Sequence, residues 1–181
     1  MSAIIKTPRL VLRAPRADDL RVLVTGLDNF NVSQWTARIP FPYTMDDAEA
    51  FLAQAETADS GTLRLAVTLD GGLIGGIACE RSVDGTSAEI GYWLAEPHWG
   101  KGYATEAARA ISDHAFEAMG YDGLKAGYRH GNEASRRILE GLGFIKTGDG
   151  MMFSRAVGSE TPVTRLQLTR AAWEKAKDRR R

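Results

Sequence analysis

The chain of 181 residues carries 23 basic and 23 acidic side chains, with 44% hydrophobic and 25% charged residues. That length buries a core of its own as one domain, and a net charge of zero excludes a nucleic-acid binder relying on overall positive charge. Cys79 has no internal disulfide partner, the start Met1-Ser2-Ala3-Ile4-Ile5-Lys6 lacks a signal-peptide core, and no run nears the ~20 apolar residues of a membrane span, so a cytoplasmic setting without a membrane partner is expected.

Leu10-Val11-Leu12, bounded by Pro8 and Pro15, reads as a short first strand. Asp18 or Asp19 is placed to cap a helix through about residue 27. Residues 28–43 mix Asn29, Asn31, Pro40 and Pro42 with Phe30, Trp35, Phe41 and Tyr43, which predicts an irregular but ordered loop. Thr44 with Asp47 three residues on forms a capping box for a helix over 45–58. Leu63 to Leu69 and Leu73 to Cys79 read as strands around the hairpin turn Asp70-Gly71-Gly72, and Ala88 to Ala95 as the next strand. A helix begins after the glycines near 100 and ends near Gly120; Leu124 to Tyr128 is a strand again. Asn132 caps a helix ending at Gly141, and Phe144 to Thr147 and Val163 to Leu168 are late strands, with Met151-Met152-Phe153 either strand or lid. Arg179-Arg180-Arg181 reads as a solvated tail. An antiparallel half followed by strand-helix-strand units predicts an α/β fold with a mixed sheet and helices on its faces, one domain over 1–181.

Pro97-His98-Trp99-Gly100-Lys101-Gly102-Tyr103-Ala104-Thr105-Glu106 lies between the apolar run Ile90–Leu94 and the helix with Ala107, Ala108, Ile111 and Ala115. Strand, glycine loop and helix point free backbone N–H groups at an anion, and glycine lets the backbone approach it closely. Gly102 after Lys101 excludes a P-loop, and Thr105 excludes the dinucleotide fingerprint. The stretch is therefore a diphosphate site or a plain connecting turn.

This stretch resembles the GNAT acyl-coenzyme A-dependent N-acetyltransferases, within them the ribosomal-protein N-terminal acetyltransferase type. Glu89-Ile90-Gly91-Tyr92-Trp93-Leu94, Asn132-Glu133-Ala134-Ser135, Thr7-Pro8-Arg9-Leu10-Val11-Leu12-Arg13, Pro42-Tyr43-Thr44, Gly141-Leu142-Gly143-Phe144, Leu168-Thr169-Arg170 and Trp173 extend the resemblance over nearly the whole chain. It implies a mostly antiparallel central sheet, flanked by helices, whose two middle strands splay to admit the pantetheine arm of acetyl-CoA. It also implies acetyl transfer to a primary amine, such as a protein N-terminal α-amine.

By the same resemblance, N–H groups of Gly100, Lys101, Gly102, Tyr103, Ala104 and Thr105 hold the cofactor's pyrophosphate, with charge from Lys101 and a hydroxyl from Thr105. Trp93, Leu94 and Ala95 line the splayed strand, and a backbone N–H near Leu94 or Ala95 stabilises the oxyanion. Asn132 contacts the pantetheine or pyrophosphate while capping its helix. Trp99 stands where many members carry Gln or Arg, which removes one polar phosphate contact. His98 reads as a solvated loop histidine, and Arg136-Arg137 either reach the 3′-phosphate or form a solvated helix face.

The resemblance places Glu89 where the histone-acetylating members keep a strand glutamate, which makes it the expected general base; alternation puts it on one face with Gly91 and Trp93, opposite Ile90, Tyr92 and Leu94. A desolvated carboxylate there has a raised pKa suited to the task, whereas a surface salt bridge is the plainer reading. The resemblance places Ser135 to protonate the departing sulfur; Leu139 occupies the position where many members use a tyrosine, which leaves Ser135, another hydroxyl, a water or no acid at all. Trp35, Arg38, Phe41 and Tyr43 either wall the acceptor site or pack beneath the long loop. No metal is expected, the assembly is a monomer or homodimer, and two alternatives stay open: a small-molecule amine acetyltransferase and a non-catalytic acetyl-CoA-binding module.

Overall fold

A computed structural model describes residues 3–59 and 61–179; Met1-Ser2 and the Arg180-Arg181 end of the basic tail lie outside the described residues. In chain order the elements are β1 (Ile5–Lys6), β2 (Leu10–Arg13), α1 (Leu20–Leu27), α2 (Phe30–Ser33), α3 (Met45–Glu56), β3 (Leu63–Leu69), β4 (Gly72–Arg81), β5 (Ser87–Leu94), α4 (Tyr103–Glu117), β6 (Gly123–Arg129), α5 (Glu133–Gly141), β7 (Ile145–Ser154), β8 (Ser159–Thr169) and α6 (Arg170–Asp178). The strands form one eight-stranded sheet in the order β1-β2-β3-β4-β5-β6-β8-β7. Every neighbouring pair is antiparallel except β5 and β6.

Local chemistry accounts for most boundaries. Thr44 and Asp47 close their capping box at the start of α3, and Asp70 and Gly71 take positive φ in the β3–β4 hairpin, which lets two strands return on each other in two residues. Asn132 caps α5 by accepting from Ser135 N–H at 3.0 Å. Asp19 does not cap α1: a 3-10 turn precedes the helix, and the Asp19 carboxylate takes Arg13 Nη1 and Nη2 at 2.7 and 2.8 Å and Arg16 N–H at 2.8 Å. Met151-Met152-Phe153 is strand rather than lid, part of β7 in a long β7–β8 hairpin, and β1, α2 and α6 join the elements expected from the sequence.

The sheet carries a core on each face. One gathers Ile90 and Leu94 of β5 with Ile111, Phe116, Leu139 and Trp173 under α4, α5 and α6. The other gathers Leu23, Leu27, Val32, Tyr43 and Ala48 under α1 and α3, with Trp93 packed against it. Alternation along β5 thus sorts its side chains to the two faces as the sequence predicts. The parallel ladder between β5 and β6 holds only from Ser87↔Gly123 to Glu89↔Lys125, and beyond it the strands part. The right-handed twist of a strand pair with no further ladder bonds widens that gap into a wedge.

Candidate active site

The wedge opens into a cavity of about 1010 Å³ reaching from the α1–α3 face to the α4–α5 face, bordered by Glu89, Tyr92, Leu94, Gly102, Asn132 and Ser135 among others. Its polar edge comes from backbone parity. Ala95 N–H donates to Ile74 O at 2.9 Å, so alternation along the antiparallel ladder turns the N–H groups of Leu94 and Tyr92 away from β4 and toward the gap. Of the two oxyanion donors anticipated, Ala95 is therefore spent and Leu94 faces the cleft.

At the wide end stands the glycine loop. Gly100 and Gly102 have φ of +73° and +80°, a left-handed conformation that glycine adopts without strain. A Cβ on Gly100 would meet no atom within 4 Å, so backbone conformation rather than crowding selects that glycine. Gly102 is the N-cap of α4 without a side-chain cap, and the first helical bond is Glu106 N–H to Gly102 O at 3.1 Å. The N–H groups of Tyr103, Ala104 and Thr105 consequently have no helical acceptor, at the positive end of a 15-residue helix. These donors, with Gly100, Gly102, Tyr103, Ala104 and Thr105 bordering the cavity, fit a diphosphate. Lys101 is exposed and turns its ammonium to Pro97 O at 2.9 Å, away from the cavity.

Two side chains brace this loop. Trp99 donates its indole N–H to Leu94 O at 2.7 Å and so ties the loop to the end of β5. Glu106 accepts from Thr7 Oγ1 at 2.6 Å, Arg9 N–H at 2.9 Å and Arg9 Nε at 2.6 Å. Arg9 in turn donates to Lys101 O at 2.9 Å and stacks 4.6 Å from the Tyr103 ring centroid. Burial pushes the Glu106 carboxyl up, but the hydrogen bonds from Thr7 and Arg9 outweigh it and hold the group below the usual range.

On the α4–α5 face the Tyr92 hydroxyl lies 3.0 Å from Ser135 Oγ. Burial pushes the Tyr92 phenol up to about 12, with the Ser135 hydrogen bond acting the other way, so it is protonated at neutral pH. Asn132 Oδ1 holds the Ser135 backbone, and Leu139, in place of a tyrosine, is buried in the core. The pair of hydroxyls thus bridges β5 and α5 on the same face of the sheet as the Leu94 side chain.

On the α1–α3 face Glu89 is exposed where the β5–β6 ladder ends, not desolvated beside aromatics as anticipated. Its cross-strand partner Glu80 is held between Arg38 (2.7 Å) and Arg64 (3.0 Å). Trp35 and Arg38 border the cavity, and Tyr43 is a buried part of its inner wall, its phenol pushed up to about 12 by burial and by Asp47. Phe41 does not reach the cavity; it packs edge-on against Phe30, with ring centroids 5.4 Å apart. Trp93 turns to α1, where a Cβ on Gly26 would lie 3.1 Å from its ring, and borders the cavity from the α1–α3 face. His98 is half-buried, not solvated: its Nδ1 is buried without a partner, and burial, with Lys101 nearby, lowers its pKa. Arg136 is taken by Glu133 and Glu140 at 2.7 and 2.8 Å, whereas Arg137 borders the cavity.

Sequence reasoning passed over Tyr92, Glu80 and the Arg9–Glu106 brace. Alternation already put Tyr92 on the α4–α5 face, and an acid in the first turn of a helix was visible at Glu106. Nothing local links Glu106 to Arg9, 97 positions earlier.

Compared with known proteins, the chain matches the acetyltransferase (GNAT) domain over residues 9–145. YdaF of Bacillus subtilis, whose name proposes ribosomal N-acetylation, is 32% identical over 122 residues, 65% of this chain and 64% of its own length. Two further Bacillus relatives are matched over 40% and 46% of their length, so the chain spans less than two thirds of these curated relatives. Among solved structures, Mycobacterium smegmatis RimJ in complex with CoA-disulfide superposes with a TM-score of 0.79 at 22% identity, over 99% of this chain and 94% of that one. Spermidine N-acetyltransferase from Vibrio cholerae, in complex with CoA and spermine, gives 0.79 at 22%, over 93% and 99%. At those identities the likeness is one of fold.

Proposed function

The chain belongs to the GNAT acetyltransferase family, and on that premise we propose that it transfers the acetyl group of acetyl-CoA to a primary amine. The observation that carries this reading is the wedge between β5 and β6 with a glycine-capped helix at its wide end. Acetyl-CoA supplies an acyl group already activated as a thioester. In this reading the N–H groups of Tyr103, Ala104 and Thr105 hold the pyrophosphate, and the Leu94 N–H receives the developing oxyanion. Glu89, on the α1–α3 face, takes the amine's proton, directly or through a water. Ser135, on the other face, gives a proton to the departing sulfur, and Tyr92 fixes its hydroxyl. The two proton transfers thus lie on opposite faces of the sheet, joined only through the gap, which keeps acid and base from neutralising each other. The acceptor is either a protein N-terminal α-amine or a small amine, and the buried, unpaired Cys79 suits a reducing cytoplasm.

Calorimetric titration with acetyl-CoA tests the reading, alongside Gly102→Asp, which sets a carboxylate and a Cβ in the cradle. Wild-type binding that the variant abolishes, together with thiol release in the presence of amines, is the expected result. Absence of binding by the wild-type protein overturns the cofactor assignment. Binding without release, unaltered in Glu89→Gln and Ser135→Ala, marks a non-catalytic module instead.

A further inference from the structure

Resting on the acetyl-transfer reading, we infer that the acceptor is a compact amine that also carries an anionic group, a carboxylate or a phosphate. Arg155, with Arg38 and Arg64, receives that group while Glu89 faces the amine.

The first ground is the covering of the amine side. Asn29 Nδ2 donates to Glu96 Oε2 at 2.7 Å just past the end of β5. Trp35 lies over the turn after β6, where a Cβ on Gly131 would be 3.6 Å from its ring. Ser154 Oγ donates to Thr36 O at 3.1 Å, and Arg155 N–H to Ala37 O at 3.0 Å, at the tip of the β7–β8 hairpin. The segment from Asn29 to Ala37 therefore straps the gap from one side to the other. The strap narrows the approach on this side, where Gln54, Met152, Arg38, Arg64 and Arg155 border the cavity, which favours a small acceptor over a folded protein surface.

The second ground is charge. Arg38 and Arg64 share the carboxylate of Glu80, at 2.7 and 3.0 Å; with Glu89 given to the amine, the three cations Arg38, Arg64 and Arg155 face two carboxylates, Glu80 and Asp47. Arg155 forms no ion pair among the described residues; its Nη1 donates to Arg38 O at 3.3 Å. Asp47, which borders this side with Glu80 and Glu89, is held by Thr44 N–H at 3.0 Å and Thr44 Oγ1 at 2.7 Å, bonds that lower its pKa with a smaller contribution from the charge of Arg155. A planar guanidinium fork without a carboxylate is suited to a bidentate anion.

The third ground is spacing. Glu89 forms no ion pair among the described residues and is the direct cross-strand partner of Glu80, so their Cβ atoms are about 5 Å apart. An amine at Glu89 and an anion among the arginines around Glu80 are then separated by little more than one side chain. Both groups fit within one small acceptor.

The test is a thiol-release assay on matched acceptors: an amino acid against its carboxamide, and an aminoalkyl phosphate against its amino alcohol. Spermidine and an N-terminal peptide complete the panel. We expect kcat/KM at least about tenfold higher for the anionic member of a pair, the usual size of a charge-assisted hydrogen bond. Arg155→Gln is expected to raise KM for anionic acceptors alone, Arg155→Lys to restore part of it, and neither to change acetyl-CoA binding. Equal or better turnover of neutral amines, spermidine or the peptide overturns the inference while acetyl transfer stands. If acetyl-CoA binds but nothing turns over, calorimetry of the anionic amines on the CoA-loaded protein decides, and no binding there overturns the inference as well. Failure to bind acetyl-CoA at all is the separate failure of the underlying reading.

Discussion

Glu106→Gln separates the brace around the glycine loop from the loop itself. The carboxylate receives three hydrogen bonds, from Thr7 Oγ1, Arg9 N–H and Arg9 Nε, and its side chain is only 14% exposed. Glutamine keeps the shape and one acceptor oxygen but sets an amide N–H₂ against a donor and removes the charge. Hydrogen bonds to a charged group contribute about 1.5–3 kcal/mol, and the Arg9 share is discounted because that side chain is nearly half exposed, so a loss of about 2 kcal/mol is expected. For a chain of this length that lowers Tm by about 4–8 °C. Because Glu106 titrates below its ordinary value in the folded state, its contribution is present above the unfolded pKa of about 4.3 and fades as pH falls through the folded one. The variant should therefore show a shallower loss of stability in acid. Released from Glu106, Arg9 no longer steadies Lys101 O and the Tyr103 ring, and the KM for acetyl-CoA should rise several-fold while kcat at saturation holds. Thermal melts and calorimetry check both halves. An unchanged Tm refutes the brace; a lowered Tm with unchanged acetyl-CoA affinity refutes its hold on the loop.

Asp19→Asn leaves the half-buried Arg13 guanidinium, its side chain 12% exposed, without its carboxylate and should cost about 3 kcal/mol, read by denaturant unfolding. Burial pushes the Asp19 carboxyl up, yet the bonds from Arg13 and Arg16 win and lower it, so wild-type stability is present above about pH 3.9 and declines as pH falls through the folded pKa, a dependence the variant should lack. Gly75→Ala puts a Cβ 2.3 Å from Trp93 O and 2.5 Å from Leu94 Cδ2; we expect about 1–3 kcal/mol of destabilisation and a fall in kcat as Leu94 shifts, and a wild-type urea midpoint would contradict the packing argument. Tyr92→Phe should lower kcat about tenfold, less than the roughly 10²–10⁴ of a group that transfers the proton itself, by the same factor from pH 6 to 9 because burial pushes the phenol up to about 12; a pH-dependent ratio would show that Tyr92 itself exchanges the proton.

What was legible beforehand is what short-range chemistry encodes. Thr44 and Asp47 sit three residues apart, Asp70-Gly71 is its own turn, and Gly100 and Gly102 announce a helix start that no side chain caps. Asp19 shows the limit: as a residue type it suits an N-cap, but a half-buried arginine six positions earlier competes for the same oxygens and wins. Strand β7 escaped in part because Gly148, Asp149 and Gly150 interrupt the alternation by which strands are recognised, while pairing along β8 holds the backbone extended regardless. In the site, alternation sorted Glu89 and Tyr92 to their faces but did not name what each would meet. Ser135 for Tyr92, and for Glu89 a neighbour already claimed by two arginines, both depend on elements far along the chain.

The three-residue ladder between β5 and β6 has a bearing on cooperativity. Seven residue pairs join β4 to β5 and seven join β6 to β8, while three join the halves. The sheet is in effect two stiff panels with a seam, crossed elsewhere by side chains of α4 and by the strap. Amide exchange in β5 and β6 should then report the seam before either panel opens, with the Leu94 and Tyr92 amides among the first to exchange. A molecule lying in the wedge takes up those same backbone groups, so it acts as the missing length of ladder. Its binding would raise the free energy of opening by RT ln(1 + [L]/Kd) and would spread that protection to both panels, most of all to the seam.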